Sequence, residues 1–238
     1  MNFRTCILQL IKQNWRLKMF DNNRFGLITG SKCSILFPKR SAEKGQRTYA
    51  KQLANQMYFK FYDEKGTWQT EHGHLAESSA FEYYQQHFCK DAEYQPPFEM
   101  YMEFGGSADC IANDWGVDFK CPTSLETWLD YLHEGIDEQQ YHQAQMYMFL
   151  YDRPEWHICA YLLETNRMSN DGLTYPIPHE ERMIVTKVKK EEGWSDLLIE
   201  RGEKVIEMRN IFYKNLLDQF TVTNFENLFN ETFRRHNK

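Results

Sequence analysis

Apolar and polar positions recur with two different periods along the chain, and the change of period separates helical flanks from a strand-rich centre. Residues 1–20 read as a short helix with Ile7, Leu10 and Ile11 on one side. Residues 24–37 read as a turn entering a buried helix, because Gly30-Ser31 leads into Cys33, Ile35, Leu36 and Phe37. Helical spacing returns over 46–60 and 74–89. In the centre, strands are predicted from Glu99 to Phe104, Ser107 to Ala112 and Gly116 to Cys121, punctuated by Gly105-Gly106 and Asn113-Asp114. Helices near 124–133 and 138–151 follow, then strands at Trp156 to Leu163, Leu173 to Ile177 and Arg182 to Lys189. Beyond these, Leu198, Ile199, Val205, Ile206 and Phe212 keep a helical period of about 3.6. No repeat, low-complexity tract or Pro/Gly/Ser linker interrupts the pattern, so residues 1–238 read as one domain. The fold class is α/β (α+β), a central mixed β-sheet flanked by helices.

Composition narrows this picture. With 42% hydrophobic and 26% charged residues, and only 12 Gly and 7 Pro, the chain has the makings of a packed core and not of a disordered or fibrous protein. The longest apolar stretch near the N-terminus, Cys6 to Ile11, falls far short of the ~20 residues a membrane helix needs. No small-residue cleavage site follows it, which argues against a secretory signal. Six scattered cysteines without a C-x-x-C pair read as reduced thiols of a cytoplasmic compartment. A net charge of -6 argues against coating of nucleic acid by bulk attraction. It leaves room for local patches. Lys39, Arg40, Lys44, Arg47 and Lys51 stand against the single Glu43, either as a solvated helix face or as a phosphate-contacting surface.

The central hairpin holds the candidate chemistry. Period-two alternation puts Asp118 and Lys120 on one face of their strand, with Val117, Phe119 and Cys121 turned toward a core. Ser107 and Asp109 share a face of the preceding strand by the same rule. If Asn113-Asp114 is a two-residue turn, residue 112 pairs with 115 and Asp109 falls opposite Asp118. Facing carboxylates repel. A shared proton, a cation or solvent exposure must offset that repulsion. A hard divalent metal held by two carboxylates and a backbone carbonyl would do so, with Lys120 alongside to orient a water. An edge hairpin bearing ordinary surface acids satisfies the same pattern.

A third acid and two glutamines join this question. Glu77 shares a helical face with Ala80, Phe81, Tyr84 and Phe88. A glutamate on an apolar stripe is costly unless it is paired or coordinates a cation. A helix N-terminal position would also favour it. Gln143 and Gln145 lie on a helix whose end, Met146 to Leu150, is apolar all round, so both glutamines are expected to face something polar.

The series Gly73-x-x-x-Glu77, Ser107-x-Asp109, Asp118-x-Lys120-Cys-Pro and Gln143-x-Gln145 resembles the PD-(D/E)XK nuclease superfamily. Within it, the likeness is greatest to the family of phage lambda exonuclease and YqaJ-type viral recombinases. The segment from Arg24 to Ser31 resembles the arginine-to-serine stretch that opens that family's fold. An acid-x-Lys pair alone is a weak signal, whereas five linked motifs in order are a strong one. The resemblance runs from about Arg24 to the C-terminal helix and implies a restriction-endonuclease-like core.

The resemblance further implies a Mg²⁺-dependent DNA exonuclease, with Mn²⁺ as a substitute ion. Asp109 and Asp118 would bind the metal with the Phe119 carbonyl, and Glu77 would complete or support the site. Lys120 would position the attacking water, and Gln143 would hold that water or the metal shell. Arg24, Ser31 and Ser107 would serve the 5′-phosphate of DNA. The implied activity is 5′-to-3′ degradation at double-stranded ends, 5′-phosphate preferred, in phage-type homologous recombination or end processing. Implied partners are duplex DNA ends, a single-strand annealing protein and further copies of the chain in a ring-shaped trimer, in a bacterial or phage-infected cytoplasm.

Two positions depart from the family pattern. Ala108 replaces the usual proline, and Asp118 stands where glutamate is commoner and reaches one methylene less far. Rival readings are a non-catalytic DNA-binding protein on a decayed nuclease fold and an endonuclease of the same superfamily. An iron–sulfur nuclease would need four cysteine ligands, three of them near the C-terminus, but the last cysteine is Cys159. His72, His74, His87 and Cys89 are suggestively spaced for zinc, yet read as surface histidines, with His72 and His74 placed before the helix.

Overall fold

The period-two segments pair into two sheets. A computed structural model of the chain describes residues 24–38, 43–60, 68–164 and 174–220. The helix expected over 1–20 and the basic residues Lys39 and Arg40 lie outside these residues. The chain divides into two compact units. One holds residues 24–27, helix α1 (Glu43–Phe59) and the part of helix α5 (Trp194–Gln219) beyond Glu200, and the other holds Ile28–Pro38 and the described residues from 68 to Glu200.

The larger unit contains both sheets. Strand β1 (Ile28–Thr29) runs parallel to β4 (Phe104–Gly106), which pairs with β3 (Glu99–Tyr101) in a three-stranded sheet. The second sheet has five strands in the order β2 (Glu93–Tyr94), β5 (Cys110–Ala112), β6 (Trp115–Lys120), β7 (Glu155–Tyr161) and β8 (Met183–Lys189). Only β6 and β7 are parallel, so the sheet is mixed, as expected.

Helices cover both faces of the five-stranded sheet. Val117 and Phe119 of β6 and Cys159 and Tyr161 of β7 pack with Ala80, Tyr83 and Tyr84 of α2 (Trp68–His87). Alternation turns Trp156, Ile158 and Ala160 to the opposite face. There Trp156 and Ile158 meet Ala144, Tyr147 and Met148 of α4 (Glu138–Leu150), while Ala160 meets Trp128 of α3 (Leu125–His133). Trp128 donates its indole N–H to the Ala160 carbonyl at 3.0 Å. Ser124 caps α3, and Asp137 with Gln140 forms a capping box on α4. The segment after β1 is a 3-10 helix, Gly30–Leu36, with Cys33 and Leu36 buried. Phe37 at its end stacks on His142 of α4, ring centroids 4.2 Å apart.

Several boundaries differ from the sequence reading. The strand expected from Glu99 to Phe104 is a hairpin, turned by Met102 at φ 54, and its second arm belongs to the three-stranded sheet. The strand expected from Leu173 to Ile177 does not form over its described residues, which hold only an isolated bridge at Thr174. Pro176 and Pro178 offer no N–H to a ladder there. Helix α2 starts at Trp68, so His72 lies inside it. The two-residue β2 is too short to show a period and was not anticipated.

In the smaller unit, α1 buries Tyr49, Ala50, Leu53 and Ala54. Gly26, at φ +81, sits where a Cβ would come within 2.2 Å of Met57 Cγ, and its carbonyl accepts from buried Arg209 of α5 at 2.8 Å.

One buried histidine makes the larger unit sensitive to acid. Trp115 Nε1 donates to the Tyr84 hydroxyl at 2.7 Å, Tyr84 faces His157 Nδ1 at 3.5 Å, and His157 Nε2 meets Glu155 at 2.7 Å. A neutral ring that accepts at Nδ1 and donates at Nε2 satisfies the whole series. Burial holds the His157 pKa below its ordinary value, and the hydrogen bond to Glu155 only partly opposes this. The folded state therefore binds fewer protons than the unfolded chain around pH 6.5, so stability is full above about that pH and falls as the pH drops below it. Denaturation across pH is expected to give a shallower acid slope for His157→Gln than for the wild type.

Candidate active site

The β5–β6 hairpin sets the geometry of the carboxylates. Cys110 pairs with Val117, Ile111 with Gly116 and Ala112 with Trp115, leaving Asn113-Asp114 as the turn. Asn113 takes φ 48, a conformation asparagine tolerates well. The ladder ends at the Cys110–Val117 pair: Asp109 lies in a bend just before β5 and not in the strand expected from Ser107, and the register continued by one residue points it toward Asp118. Asp118 is 2% exposed and Asp109 is partly buried. Asp109 Oδ2 accepts the Phe119 N–H at 2.7 Å, which ties the first carboxylate to the backbone of the opposing strand.

Asp118 is held by a cation and an amide. Lys120 Nζ lies 2.5 Å from Asp118 Oδ2, and Gln143 Nε2 donates to Asp118 Oδ1 at 2.9 Å. Lys120 also donates to Gln143 Oε1 at 3.4 Å, so the three side chains close a ring of polar contacts between β6 and α4. Burial disfavours the Lys120 charge, but the Asp118 carboxylate outweighs it and keeps the pKa above the ordinary lysine value. Lys120 is therefore a donor and not a base at neutral pH. Burial, Asp118 and then Glu77 push the Asp109 pKa well above the carboxylate range, against Lys120 and the Phe119 N–H. Negative charge is concentrated at this hairpin.

Glu77 contributes to that field from α2. Nine residues separate it from the first residue of the helix, Trp68, so the N-terminal dipole does not explain it. Its carboxylate accepts instead from the Tyr94 hydroxyl at 3.1 Å and from Gln95 Nε2 at 3.4 Å. Of the stripe it belongs to, Ala80 and Tyr84 are buried, but Phe88 lies past the helix end and is 50% exposed. Tyr94 and Gln95 escaped the sequence reading because β2 has no pattern of its own.

Tyr147 was also missed, although the four-residue step from Gln143 would have put both on one helix face. Its hydroxyl receives Gln143 Nε2 at 3.4 Å, and burial together with Asp118 and Asp109 holds its proton on. Two glycines admit its ring: a Cβ on Gly30 or on Gly106 would come within 2.4 Å of Tyr147 Cε1. Ser31 and Ser107 follow these glycines directly, so the structure starts both from backbone that abuts the same ring. Ser31 is exposed and its carbonyl accepts from Gln139 of α4 at 3.2 Å. Arg24 belongs to the smaller unit, in the turn that its carbonyl closes with Leu27 N. Gln145 is not part of the site. It holds the Lys189 carbonyl at 2.8 Å and the Glu191 N–H at 3.0 Å, fastening the end of β8.

The donor set fits a hard divalent cation. Asp109, Asp118, the adjoining main chain of Phe119 and Glu77 offer oxygen only, and the charge at Asp109 is what a cation would relieve. Among the described residues no three His, Cys, Asp or Glu side chains come together as a metal-holding group, so Glu77 does not close one with Asp109 and Asp118. Two carboxylates with water completing the shell suit Mg²⁺, which dehydrates reluctantly. A zinc site at His72, His87 and Cys89 is not formed. Fifteen residues of helix put His72 and His87 about 22 Å apart.

Gly106→Ala forces the Tyr147 ring out of its seat. It is expected to destabilise the fold by about 1–3 kcal/mol in urea denaturation.

No family profile matches the chain, and no curated protein sequence does. Solved structures do. The alkaline exonuclease LHK-Exo from Laribacter hongkongensis superposes with a TM-score of 0.66 at 15% identity, covering 83% of this chain and 94% of that one. LHK-Exo in complex with dAMP gives 0.60 at 16%, covering 82% and 92%. A phage-related exonuclease from Haemophilus somnus 129PT gives 0.65 at 17%, covering 84% and 99%. Identities this low establish the fold alone, and the chain has the fold of these exonucleases, as its motif series led one to expect.

Proposed function

We propose that the chain is a metal-dependent DNA exonuclease that acts on double-stranded ends. The observation that carries this reading is the ring of Asp118, Lys120 and Gln143 beside Asp109, on a fold shared with two exonucleases. In this reading Asp109, Asp118 and the Phe119 carbonyl hold Mg²⁺, or Mn²⁺ in its place, and Glu77 supports the site. The ion, when bound, supplies Lewis-acid polarisation of the scissile phosphate and an acidified water. Lys120, kept protonated by Asp118, donates to the attacking water and to the charge that develops on the phosphate. Gln143 keeps Lys120 and Asp118 in a fixed relation, so neither must reorganise during the reaction.

Polarity belongs to the same proposal. Ser31, Ser107 and Arg24 are assigned to a DNA 5′-phosphate, which makes the enzyme degrade that strand 5′ to 3′. A role in phage-type recombination or end processing, a single-strand annealing partner and a ring of identical chains complete the reading. No helix among the described residues is long and apolar enough to cross a membrane.

Incubation with linear and covalently closed duplex DNA tests the activity. The linear form is expected to disappear only with Mg²⁺, and the circle to persist. Rapid cutting of the circle would make this an endonuclease, and no cutting at all would leave a binding protein. Asp118→Asn is expected to abolish cleavage while the protein stays folded, and Lys120→Ala to slow it about 10²-fold or more. Near-wild-type rates in Asp118→Asn would remove the assignment.

Ser107→Ala tests the polarity. One hydrogen bond to a charged phosphate contributes roughly 1.5–3 kcal/mol, so the preference for phosphorylated over hydroxyl 5′ ends is expected to shrink about ten- to a hundredfold. Release of nucleotides from 3′ ends would contradict it.

A further inference from the structure

Helix α1 carries a charged face that the carboxylate site does not use. Lys44, Arg47 and Lys51 are exposed and, at steps of three and four residues, lie on one side of the helix. Among the described residues none of the three takes part in an ion pair, although Glu43 stands four residues before Arg47. Like charges four residues apart on a helix repel. Arg47 and Lys51 nevertheless share one aromatic platform: Arg47 Cζ lies 5.1 Å and Lys51 Nζ 5.4 Å from the ring centroid of Phe212 on α5. The negative face of that ring offsets the repulsion and keeps two cations side by side without an acidic partner. In a chain of net charge -6, this is a local reversal of sign.

We propose that this face of α1 docks the phosphate backbone of duplex DNA, an inference that rests on the nuclease reading and adds to it a surface outside the residues assigned to chemistry. From Lys44 to Lys51 the helix rises about 10 Å, and three base-pair steps of about 3.4 Å cover the same length. Cations on flexible stems reach phosphate oxygens, and contacts of that kind position a duplex without carrying sequence information. An enzyme that digests any duplex needs such a hold.

The test is the salt dependence of duplex binding, measured with EDTA so that no cleavage intervenes. Each phosphate contact contributes about 0.9 to the slope of log affinity against log salt. The triple variant Lys44→Ala/Arg47→Ala/Lys51→Ala is expected to lower that slope by roughly two to three, and Lys44→Ala alone by about one. A control of equal charge, Lys90→Ala/Lys187→Ala/Lys190→Ala, is expected to keep the wild-type slope. An unchanged slope in the triple variant, or an equal loss in the control, overturns the docking surface. Mg²⁺-dependent cleavage by the wild type is followed in parallel. A wild type that cleaves while the triple variant keeps its slope overturns the surface alone; one that neither cleaves nor binds duplex overturns both readings.

Discussion

Two carboxylates facing each other across a buried hairpin set the terms for the rest of this structure. Asp118 is almost wholly removed from water, and Asp109 stands in the bend just before β5, with its carboxylate on the Phe119 N–H next to Asp118. Like charges in that position destabilise a sheet, so the fold must supply compensation. It does so three times over: an ammonium from Lys120, an amide from Gln143 and a backbone N–H from Phe119. Burial, and then the Asp118 carboxylate, still raise the Asp109 pKa well above its ordinary value. Carboxyl groups perturbed in this way cluster at functional sites, which makes this hairpin the candidate.

The scaffold is arranged so that this compensation comes from rigid elements. Strand β6 is covered on one face by α2 and brought against α4 on the other, so that Tyr84 of α2 meets Trp115 and Gln143 of α4 meets Asp118. Glycines take part by subtraction. Gly30 and Gly106 let the Tyr147 ring lie between two backbones, which places its hydroxyl under Gln143. A positioning shell built on strands and a capped helix holds its geometry more closely than one built on loops.

Much of the fold was legible before any coordinates, for definite reasons. Helices α3 and α4 begin within a residue of where Ser124 and Asp137 cap them, since capping is a local property of sequence. The register of β5 on β6 followed from a two-residue turn, because period-two geometry leaves no freedom once the turn length is known. Failures cluster where the determining contact is distant. The Met102 turn splits a predicted strand because β4 pairs with β1, some seventy residues earlier. The sequence leaves Glu77 a possible helix-end residue, because nothing local shows that α2 starts at Trp68, nine residues before it.

What the sequence by itself determined is the chemistry on offer: Asp109, Asp118 and Lys120 about one hairpin, Glu77 and Gln143 on helices either side of it in the chain, and a basic run in an acidic chain. Spacing and charge are properties of the covalent chain, so they survive without a fold. Only the tertiary structure decided which of these groups meet. It joined Gln143 to Asp118 across twenty-five residues, gave Gln145 to the end of β8, and brought Tyr94, Gln95 and Tyr147 in beside the acids. It also put Phe212 beneath Arg47 and Lys51. Side-chain partnerships of this kind depend on how helices pack on a sheet, and packing is set by the whole core at once rather than by any segment of it.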